Sequence, residues 1–155
     1  MTAFAIREAA SADDIAHARE LFREYAHWLA IDLSFQNFDD ELATLPGKYA
    51  PPRGRLFLAG EPPVACIALR PLDEAGVGEV KRLYVRDAAR GTGLGRSLVQ
   101  TVIEHARGIG YRELRLDTAH WMRDALRLYG TLGFRECSPY YHNPMPGAVY
   151  MSLVL

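Results

Sequence analysis

The sequence predicts an α/β fold in which strands and helices alternate along one domain. The chain has 155 residues, a length typical of a single domain, and no linker-like stretch divides it. Hydrophobic residues make up 49% of it, which is enough to bury a substantial core. Segments with strand periodicity and segments with helical periodicity follow one another, separated by glycine and proline. We therefore expect one sheet packed against helices.

The first elements are a strand and two helices. A short strand is expected at residues 4–8, and Ser11 and Asp14 then resemble a capping box that opens a helix. The residues expected on the inner face of this helix are Ile15, Ala18, Phe22, Tyr25 and Leu29. A second, shorter helix is expected at residues 39–45, where a Pro-Gly pair ends it.

The middle of the chain predicts a hairpin, a third strand and a long helix. Turns rich in proline and glycine bound strands at residues 55–58 and 64–69, which we expect to pair with each other. The next strand is expected at residues 79–85. A helix follows, and its apolar residues are Leu94, Leu98, Val102, Ile103 and Ala106. Gly108 is expected to end this helix.

The last third of the chain predicts three more strands and one helix. A strand is expected at residues 113–118, and the helical pattern at 122–132 stops at Gly133, a residue type that favours helix ends. Short strands are expected near residues 135–137 and 149–155. With these elements the α/β alternation extends to the end of the chain.

A glycine-rich loop gives the strongest functional signal. Gly91, Gly93 and Gly95 follow a strand that ends at Val85, and they open the long helix. Glycine lets a ligand approach the backbone, and the unpaired N–H groups at a helix start favour an anion. A diphosphate is therefore the expected ligand of this loop.

Two common nucleotide motifs fit this loop badly. A P-loop requires glycine where this chain has Arg90, and lysine where it has Arg96. The dinucleotide fingerprint requires G-x-G-x-x-G directly after a strand, whereas this chain has G-x-G-x-G after a five-residue elbow. Neither motif accounts for the loop.

Two segments resemble the GNAT acetyltransferase superfamily. The first is R-x-x-G-x-G at residues 90–95, preceded by the apolar strand end at 83–85. The second is A-x-x-L-Y-x-x-x-G-F at residues 125–134, in the order and distance that the superfamily shows. The resemblance covers roughly residues 64–155. It implies a mixed, mostly antiparallel central sheet flanked by helices and splayed at the acyl-CoA site, between the strands that end at Val85 and Thr118.

The resemblance also implies acetyl-CoA as the cosubstrate, with no metal. The residues that it assigns to coenzyme binding are Leu83, Tyr84, Val85, Arg90, Gly91, Thr92, Gly93, Leu94, Gly95 and Arg96. The loop backbone would hold the pyrophosphate, and main-chain groups of the strand would pair with the pantetheine amides. The alternative for the glycines is a tight turn that packs a helix on a sheet, and for the arginines an ordinary solvated surface.

Two residues are predicted to be catalytic. The resemblance makes Tyr129 the general acid that protonates the departing thiolate, and the alternative is a core aromatic. It makes Glu79 the base that removes the amine proton through water. The alternative is an exposed carboxylate at the start of the strand. Simple alternation places Glu79, Lys81 and Leu83 on one face, so that Glu79 would only pair with Lys81. Met122 departs from the family pattern, because many members carry a pantetheine-binding asparagine there.

The acceptor is less clearly indicated than the donor. Tyr140, Tyr141 and Asn143 lie in a loop that would overhang the acceptor pocket, and the alternative is that the aromatics pack the loop down. A small-molecule amine and a peptide amine both remain open, as does homodimer formation. The competing hypothesis is a non-catalytic acyl-CoA sensor, which needs the loop but not Tyr129. The presence of Tyr129 therefore favours an enzyme.

Composition excludes several other classes. A net charge of -1 gives no electrostatic case for binding nucleic acid or an anionic membrane. The charged N-terminus and the lack of long apolar runs give no signal peptide or membrane span, so a cytoplasmic location is expected. The histidines lack metal-binding spacing. Cys66 is expected to be a buried hydrophobic residue. Two cysteines, Cys66 and Cys137, are too few for a disulfide framework.

Overall fold

The central sheet has seven strands in the computed structural model, which describes residues 4–155. They are β1 (Ile6–Glu8), β2 (Arg55–Ala59), β3 (Ala65–Pro71), β4 (Val77–Val85), β5 (Glu113–Ala119), β6 (Arg135–Glu136) and β7 (Ala148–Val154). Their order across the sheet is β1-β2-β3-β4-β5-β7-β6. Every pairing is antiparallel except that of β4 with β5. The predicted mixed, mostly antiparallel sheet is confirmed.

Helices cover both faces of this sheet and create two cores. The helices are α1 (Ala12–Leu29), α2 (Phe38–Thr44), α3 (Leu94–Ile109) and α4 (Arg123–Thr131). One core combines α3 and α4 with one face of the sheet, and its fully buried members include Leu98 and Leu114. The other combines α1 and α2 with the opposite face, where Phe22 packs with Leu58 and Cys66. Cys66 is buried, as the sequence predicts.

The helix ends confirm two predictions and correct a third. Ser11 and Asp14 form the predicted capping box at the start of α1. Gly133 takes a left-handed φ of 100° just after α4, as expected of a helix-ending glycine. The prediction that Gly108 ends α3 is wrong, because the helix continues to Ile109. Gly110 ends it instead, with a φ of 108° and its N–H bonded to the carbonyls of the last turn.

The sheet splits between its two parallel strands. β4 and β5 pair only where Val77–Glu79 lies beside Glu113–Arg115, at the start of both strands. Beyond that point the two strands separate, while each stays paired to its other neighbour. This is the splay that the resemblance implies. It opens a cleft whose walls are the second halves of β4 and β5.

A bulge in β4 determines which side chains face the cleft. The register between β3 and β4 shifts between Lys81 and Tyr84, where Arg82 and Leu83 lie opposite the single residue Ile67, and Arg82 has a left-handed φ of 63°. In such a bulge two residues of β4 lie opposite one residue of β3. Every later side chain of β4 therefore points to the face opposite to the one that simple alternation predicts. Leu83 therefore packs in the α3 core, while Tyr84 packs in the α1 core. The prediction that Leu83 shares a face with Glu79 and Lys81 is wrong for this reason.

Candidate active site

The connection from β4 to α3 forms one side of an open groove of about 270 Å³, here called the loop groove. It is lined by Trp28, Leu83, Tyr84, Val85, Ala89, Arg90, Gly91, Gly93, Leu94, Gly95, Met122, Asp124, Ala125 and Leu128. Gly91 and Gly93 have φ values of 76° and 84°, and no atom lies within 4 Å of the position that a Cβ would take at either residue. The loop thus presents bare backbone to the groove.

The start of α3 directs unpaired amides at this groove. The first bond of the helix runs from the Ser97 N–H to the Gly93 carbonyl, so the N–H groups of residues 94–96 have no helical acceptor. Gly93 is the N-cap and has no side chain with which to cap them. Free amides at a helix N-terminus bind phosphate well, because the helix dipole adds to their hydrogen bonds. The groove therefore contains an anion site built from main chain.

The arginines of the loop differ in what they contact. Arg90 lines the groove, where its guanidinium lies over the Trp28 ring at 5.0 Å and pairs with the Asp87 carboxylate at 2.6 Å. Arg96 is turned away and donates to the Thr131 hydroxyl on α4 at 2.9 Å. The Thr92 side chain also serves the loop itself, because its hydroxyl donates to the Ala89 carbonyl.

The floor of the groove is an open strand edge. The end of β4 is bonded to β3 on one side, where Tyr84 pairs with Cys66 and Val85 with Ala65. On its other side the splay leaves this stretch without β5 as a partner. An open edge of this kind can accept an extended ligand that contains amides, as an added strand would bind.

A second, smaller cavity adjoins the groove in the splay. This central cavity has a volume of about 70 Å³, and it shares Leu83, Met122 and Ala125 with the loop groove. Its remaining lining residues are Tyr25, Leu29, Ile31, Leu33, Gln36, Val80, Lys81, Arg82, Asp117, Thr118, Ala119, Tyr129, Asn143 and Met145. A ligand extended along the groove would therefore reach the central cavity with its inner end.

Tyr129 lies at the wall of the central cavity on α4. Its ring packs edge-to-face on Phe134 at 5.5 Å and is almost fully buried. Burial raises the pKa of its hydroxyl above the ordinary tyrosine value, and the negative charges nearby add to this shift. The phenol therefore stays protonated over the whole working pH range and can donate a proton into the cavity.

A buried charged cluster lies on the opposite side of the cavity, where its members Lys81, Arg82 and Asp117 form part of the wall. We use this name for Arg70, Glu79, Lys81, Arg82 and Asp117, together with Glu41 of α2. The Lys81 ammonium bonds to the Gln36 side-chain oxygen at 3.1 Å and lies 3.7 Å from Asp117 and 4.0 Å from Glu79. Burial lowers the pKa of Lys81, and the two carboxylates offset part of that effect. The cluster contains three cationic and three anionic side chains.

Arg82 shows how the bulge in β4 is maintained. A left-handed conformation in a residue with a side chain costs about 1–2 kcal/mol. The guanidinium gains a two-pronged bond to Glu41 at 2.8 and 2.9 Å, a third bond to Gln36, and stacking on Phe38 at 5.2 Å. These contacts offset the strain and fix α2 over the splay.

The loop before β7 closes the cavity over this cluster. Tyr140 donates its hydroxyl proton to Glu79 at 2.5 Å, and Tyr141 donates to Asp117. The Asn143 amide also donates to Asp117, at 2.8 Å. Burial raises the pKa of both tyrosines, with the neighbouring carboxylates as the next cause, so both hydroxyls remain donors.

Comparison with known proteins assigns this architecture. The sequence profile of the Acetyltransferase (GNAT) family matches residues 15–134. The chain belongs to this family. An uncharacterized N-acetyltransferase of Schizosaccharomyces pombe is 42% identical over 90% of this chain and 88% of its own length. An acetyltransferase structure from Streptococcus agalactiae superposes with a TM-score of 0.81 at 21% identity and covers both chains in full.

Membership in the GNAT family gives the reaction class. GNAT proteins transfer acyl groups from acetyl-CoA, and this chain is an acyltransferase of that kind. The Salmonella typhimurium protein YncA, whose structure contains acetyl-CoA, matches the fold with a TM-score of 0.71 at 21% identity over 99% of this chain and 94% of its own. Residues 4–155 contain no cluster of His, Cys, Asp or Glu arranged to hold a metal ion. Nor does any helix in that range have the length and apolarity to span a bilayer.

The structure brings together most of the GNAT residues expected from the sequence. All the predicted coenzyme residues line the loop groove except Thr92 and Arg96. Tyr129 and Asn143 line the central cavity. Glu79 does not line it, because its carboxylate is 1% exposed and bonded to Arg70 at 2.8 Å as well as to Tyr140.

Among the polar residues of the cavity, Gln36, Arg82 and Asp117 were not singled out from the sequence. Asp117 had a visible signal. In β5 the alternation E-L-R-L-D places Leu114 and Leu116 on one face and charged residues on the other. A charged face on a strand in the middle of a covered sheet indicates a buried polar site. Gln36 and Arg82 gave no comparable signal. Gln36 lies in a 3-10 turn (Ser34–Gln36), and Arg82 lies in the bulge of β4.

Proposed function

We propose that this protein is an N-acetyltransferase in which a primary amine attacks the thioester of acetyl-CoA directly. The observation that supports this function is that the two cavities adjoin. The loop groove, with its main-chain anion site, shares Leu83, Met122 and Ala125 with the central cavity, which Tyr129 and a polar wall also line. A donor bound in the groove and an acceptor bound in the cavity would meet in the splay.

The donor half is proposed to work mainly through backbone. The amides of residues 91–96 would hold the pyrophosphate, and the open edge of β4 at Leu83–Val85 would pair with the pantetheine amides. Arg90 would add a contact to phosphate after leaving Asp87. Met122 at the groove wall offers a thioether, not an amide, so the coenzyme arm has an apolar contact on that side.

Tyr129 is proposed as the general acid. Attack forms the new C–N bond, and collapse of the tetrahedral intermediate breaks the C–S bond and releases a thiolate. Tyr129 gives its proton to that thiolate, and the proton lost from the acylated nitrogen restores the phenol through water. The raised pKa of Tyr129 keeps its hydroxyl protonated before the reaction, and its position in the lining of the cavity supports this assignment. The role predicted for Glu79 as the base stays a prediction.

The acceptor is proposed to be a compact primary amine. A cavity of about 70 Å³ has room for roughly five water molecules, which is comparable to an amine of about five non-hydrogen atoms. Tyr140, Tyr141 and Asn143 close the cavity by bonding to Glu79 and Asp117, which leaves little space for a polypeptide.

The direct test is a thiol-release assay with acetyl-CoA and a size-graded panel of amines. We expect turnover with ethylamine, ethanolamine and propylamine, and at least tenfold lower kcat/KM with a lysine-containing pentapeptide. In parallel, acetyl-CoA should raise the melting temperature, because a ligand that binds only the folded state stabilises it. Binding of acetyl-CoA without acetylation of any primary amine would contradict the proposed function and would favour a sensor.

A further inference from the structure

Lys81 and Asp117 are the two charged residues that approach each other in the central cavity without being fully paired. Their side chains are 4% and 6% exposed, and both line the cavity. The Lys81 nitrogen lies 3.7 Å from Oδ1 of Asp117, which is too far for a hydrogen bond. Tyr141 and Asn143 both donate to the other oxygen, Oδ2. Oδ1 therefore retains capacity to accept a proton donor from the cavity.

Charged and titratable groups surround Lys81 from every element packed against it. They are Arg70 on β3, Glu79 and Arg82 on β4, Asp117 on β5, Glu41 on α2, Tyr25 on α1, and Tyr140 and Tyr141 in the loop before β7. The tyrosines are neutral, since burial raises the pKa of each. Arg115, which lies over the Tyr140 ring, is paired separately with Glu113 and Glu74.

The charges of this cluster cancel only when Lys81 is protonated. Arg70, Lys81 and Arg82 then balance Glu79, Asp117 and Glu41. An amine that enters as an ammonium ion adds one more positive charge beside these buried side chains. An unbalanced charge in such a site is unfavourable, and the usual response is the loss of a proton. Lys81 is itself held by Gln36 and two carboxylates, so the incoming amine has fewer partners for its charge.

We propose that Lys81 and Asp117 prepare the acceptor amine: the charge of Lys81 drives a proton off the incoming ammonium group, and Asp117 accepts a hydrogen bond from the neutral amine and orients it toward the thioester. This inference rests on the proposed function. The ammonium ion loses one proton to bulk water through the cavity mouth and becomes a neutral amine with a free lone pair. Lys81 keeps its proton throughout, and Oδ1 of Asp117 accepts one of the remaining N–H groups.

The kinetic test uses the amine of the panel that is acetylated fastest. The pH profile of kcat reports groups in the ternary complex, so its acidic limb reports the bound amine. In the wild type we expect this limb at least one pH unit below the pKa of the free amine. In Lys81→Met it should move up by about one unit, so that kcat near pH 7 falls about tenfold. Lys81→Arg should keep the limb low, and Lys48→Met, at an exposed position, should leave the profile unchanged.

A second measurement does not depend on turnover. The chain contains two lysines, Lys48 and Lys81, so a protein labelled with carbon-13 at the lysine ε position gives two signals that a Lys48→Met sample assigns. If the bound amine loses its proton while Lys81 keeps its own, the Lys81 signal should have the shift of an ammonium group both without and with the amine. Saturating ethylamine at pH 7 should therefore leave Lys81 protonated, and ethylamine labelled with carbon-13 should titrate at least one unit lower when bound than when free.

The outcomes separate this inference from the proposed function. Lys81→Met could fold poorly because it leaves Glu79 and Asp117 facing each other, and the double variant Lys81→Met/Asp117→Asn restores the charge balance. In the double variant the acidic limb should return to its wild-type position. An unchanged limb in Lys81→Met, or a raised limb in the double variant, would overturn the inference, although acetylation itself would remain. A Lys81 that loses its proton when ethylamine binds, or a bound ethylamine that titrates like the free amine, would also overturn it. Loss of acetyl-CoA binding or of acetylation in the wild type would instead contradict the proposed function.

Discussion

The loop groove and the buried charged cluster are built in opposite ways. The anion site of the groove is made by one continuous segment whose backbone is exposed because Gly91 and Gly93 have no side chains. The cluster is made by side chains from separate elements, such as Glu41, Lys81 and Asp117, which meet only in the folded chain. A main-chain site suits a constant ligand such as a diphosphate. A site made of side chains can change from one family member to another to suit different acceptors. Family membership therefore identifies the donor better than the acceptor.

The largest expected effect comes from placing a side chain in the groove. Gly93→Asp adds bulk and negative charge where phosphate is proposed to bind, and it also strains a residue with a φ of 84°. We expect acetyl-CoA to lose its effect on the melting temperature and turnover to fall below detection. Gly108→Asp is the matched control, because Gly108 lies in the same helix with open space around it. A melting shift retained in Gly93→Asp would place the coenzyme elsewhere.

The second effect tests whether the two regions meet at Tyr129. Tyr129→Phe removes the hydroxyl and keeps the ring packed on Phe134. Turnover should fall by roughly a hundredfold, whereas acetyl-CoA affinity should change little, since the acid acts only as the thiolate leaves. Tyr111→Phe is the control, because that hydroxyl bonds to the Arg53 carbonyl away from both cavities. Equal turnover in wild type and Tyr129→Phe would make Tyr129 a core residue and leave proton donation to water.

The donor side could be predicted from the sequence because its signals are local. Glycine spacing, a strand end and a helix start lie within residues 79–97, and Gly133 marks the end of the helix that carries Tyr129. Each depends on the conformation of a few neighbouring residues. The splay followed from the family resemblance, and the short pairing of β4 with β5 confirms it.

The acceptor side could not be predicted in the same way. An arginine with a positive φ is unusual, so alternation through Arg82 placed Leu83 on the wrong face. The energy that holds this bulge comes from Glu41 and Gln36, more than forty positions earlier in the chain. Glu79 appeared free at a strand start, but Arg70 and Tyr140 enclose it. Long-range partners of this kind leave no periodic trace in the sequence.

A smaller effect is expected at Glu79. Glu79→Gln keeps the shape of the side chain and one acceptor oxygen for Tyr140, but it weakens the pairing with Arg70 and Lys81. We expect kcat to fall by up to about tenfold through displacement of these neighbours, with the acidic limb of the kcat profile retained, since Glu79 does not line the central cavity. Loss of that limb would identify Glu79 as the base, as the sequence predicts, and would count against the role inferred for Lys81.

The smallest effect is expected at Arg96. Its substitution tests whether the loop binds acetyl-CoA through its main chain or through its side chains. The Arg96 guanidinium bonds to Thr131 and does not line the groove, yet its N–H belongs to the unpaired first turn of α3. Arg96→Gln keeps that N–H and removes only an exposed charge, so the Kd for acetyl-CoA measured by calorimetry should rise less than about fivefold. Arg90→Gln is the comparison variant, because Arg90 lines the groove. Loss of a charged contact to phosphate should raise the Kd for acetyl-CoA about tenfold or more. If Arg96→Gln weakened binding as much as Arg90→Gln, the loop would bind through its side chains, and the contrast between a main-chain donor site and a side-chain acceptor site would no longer hold.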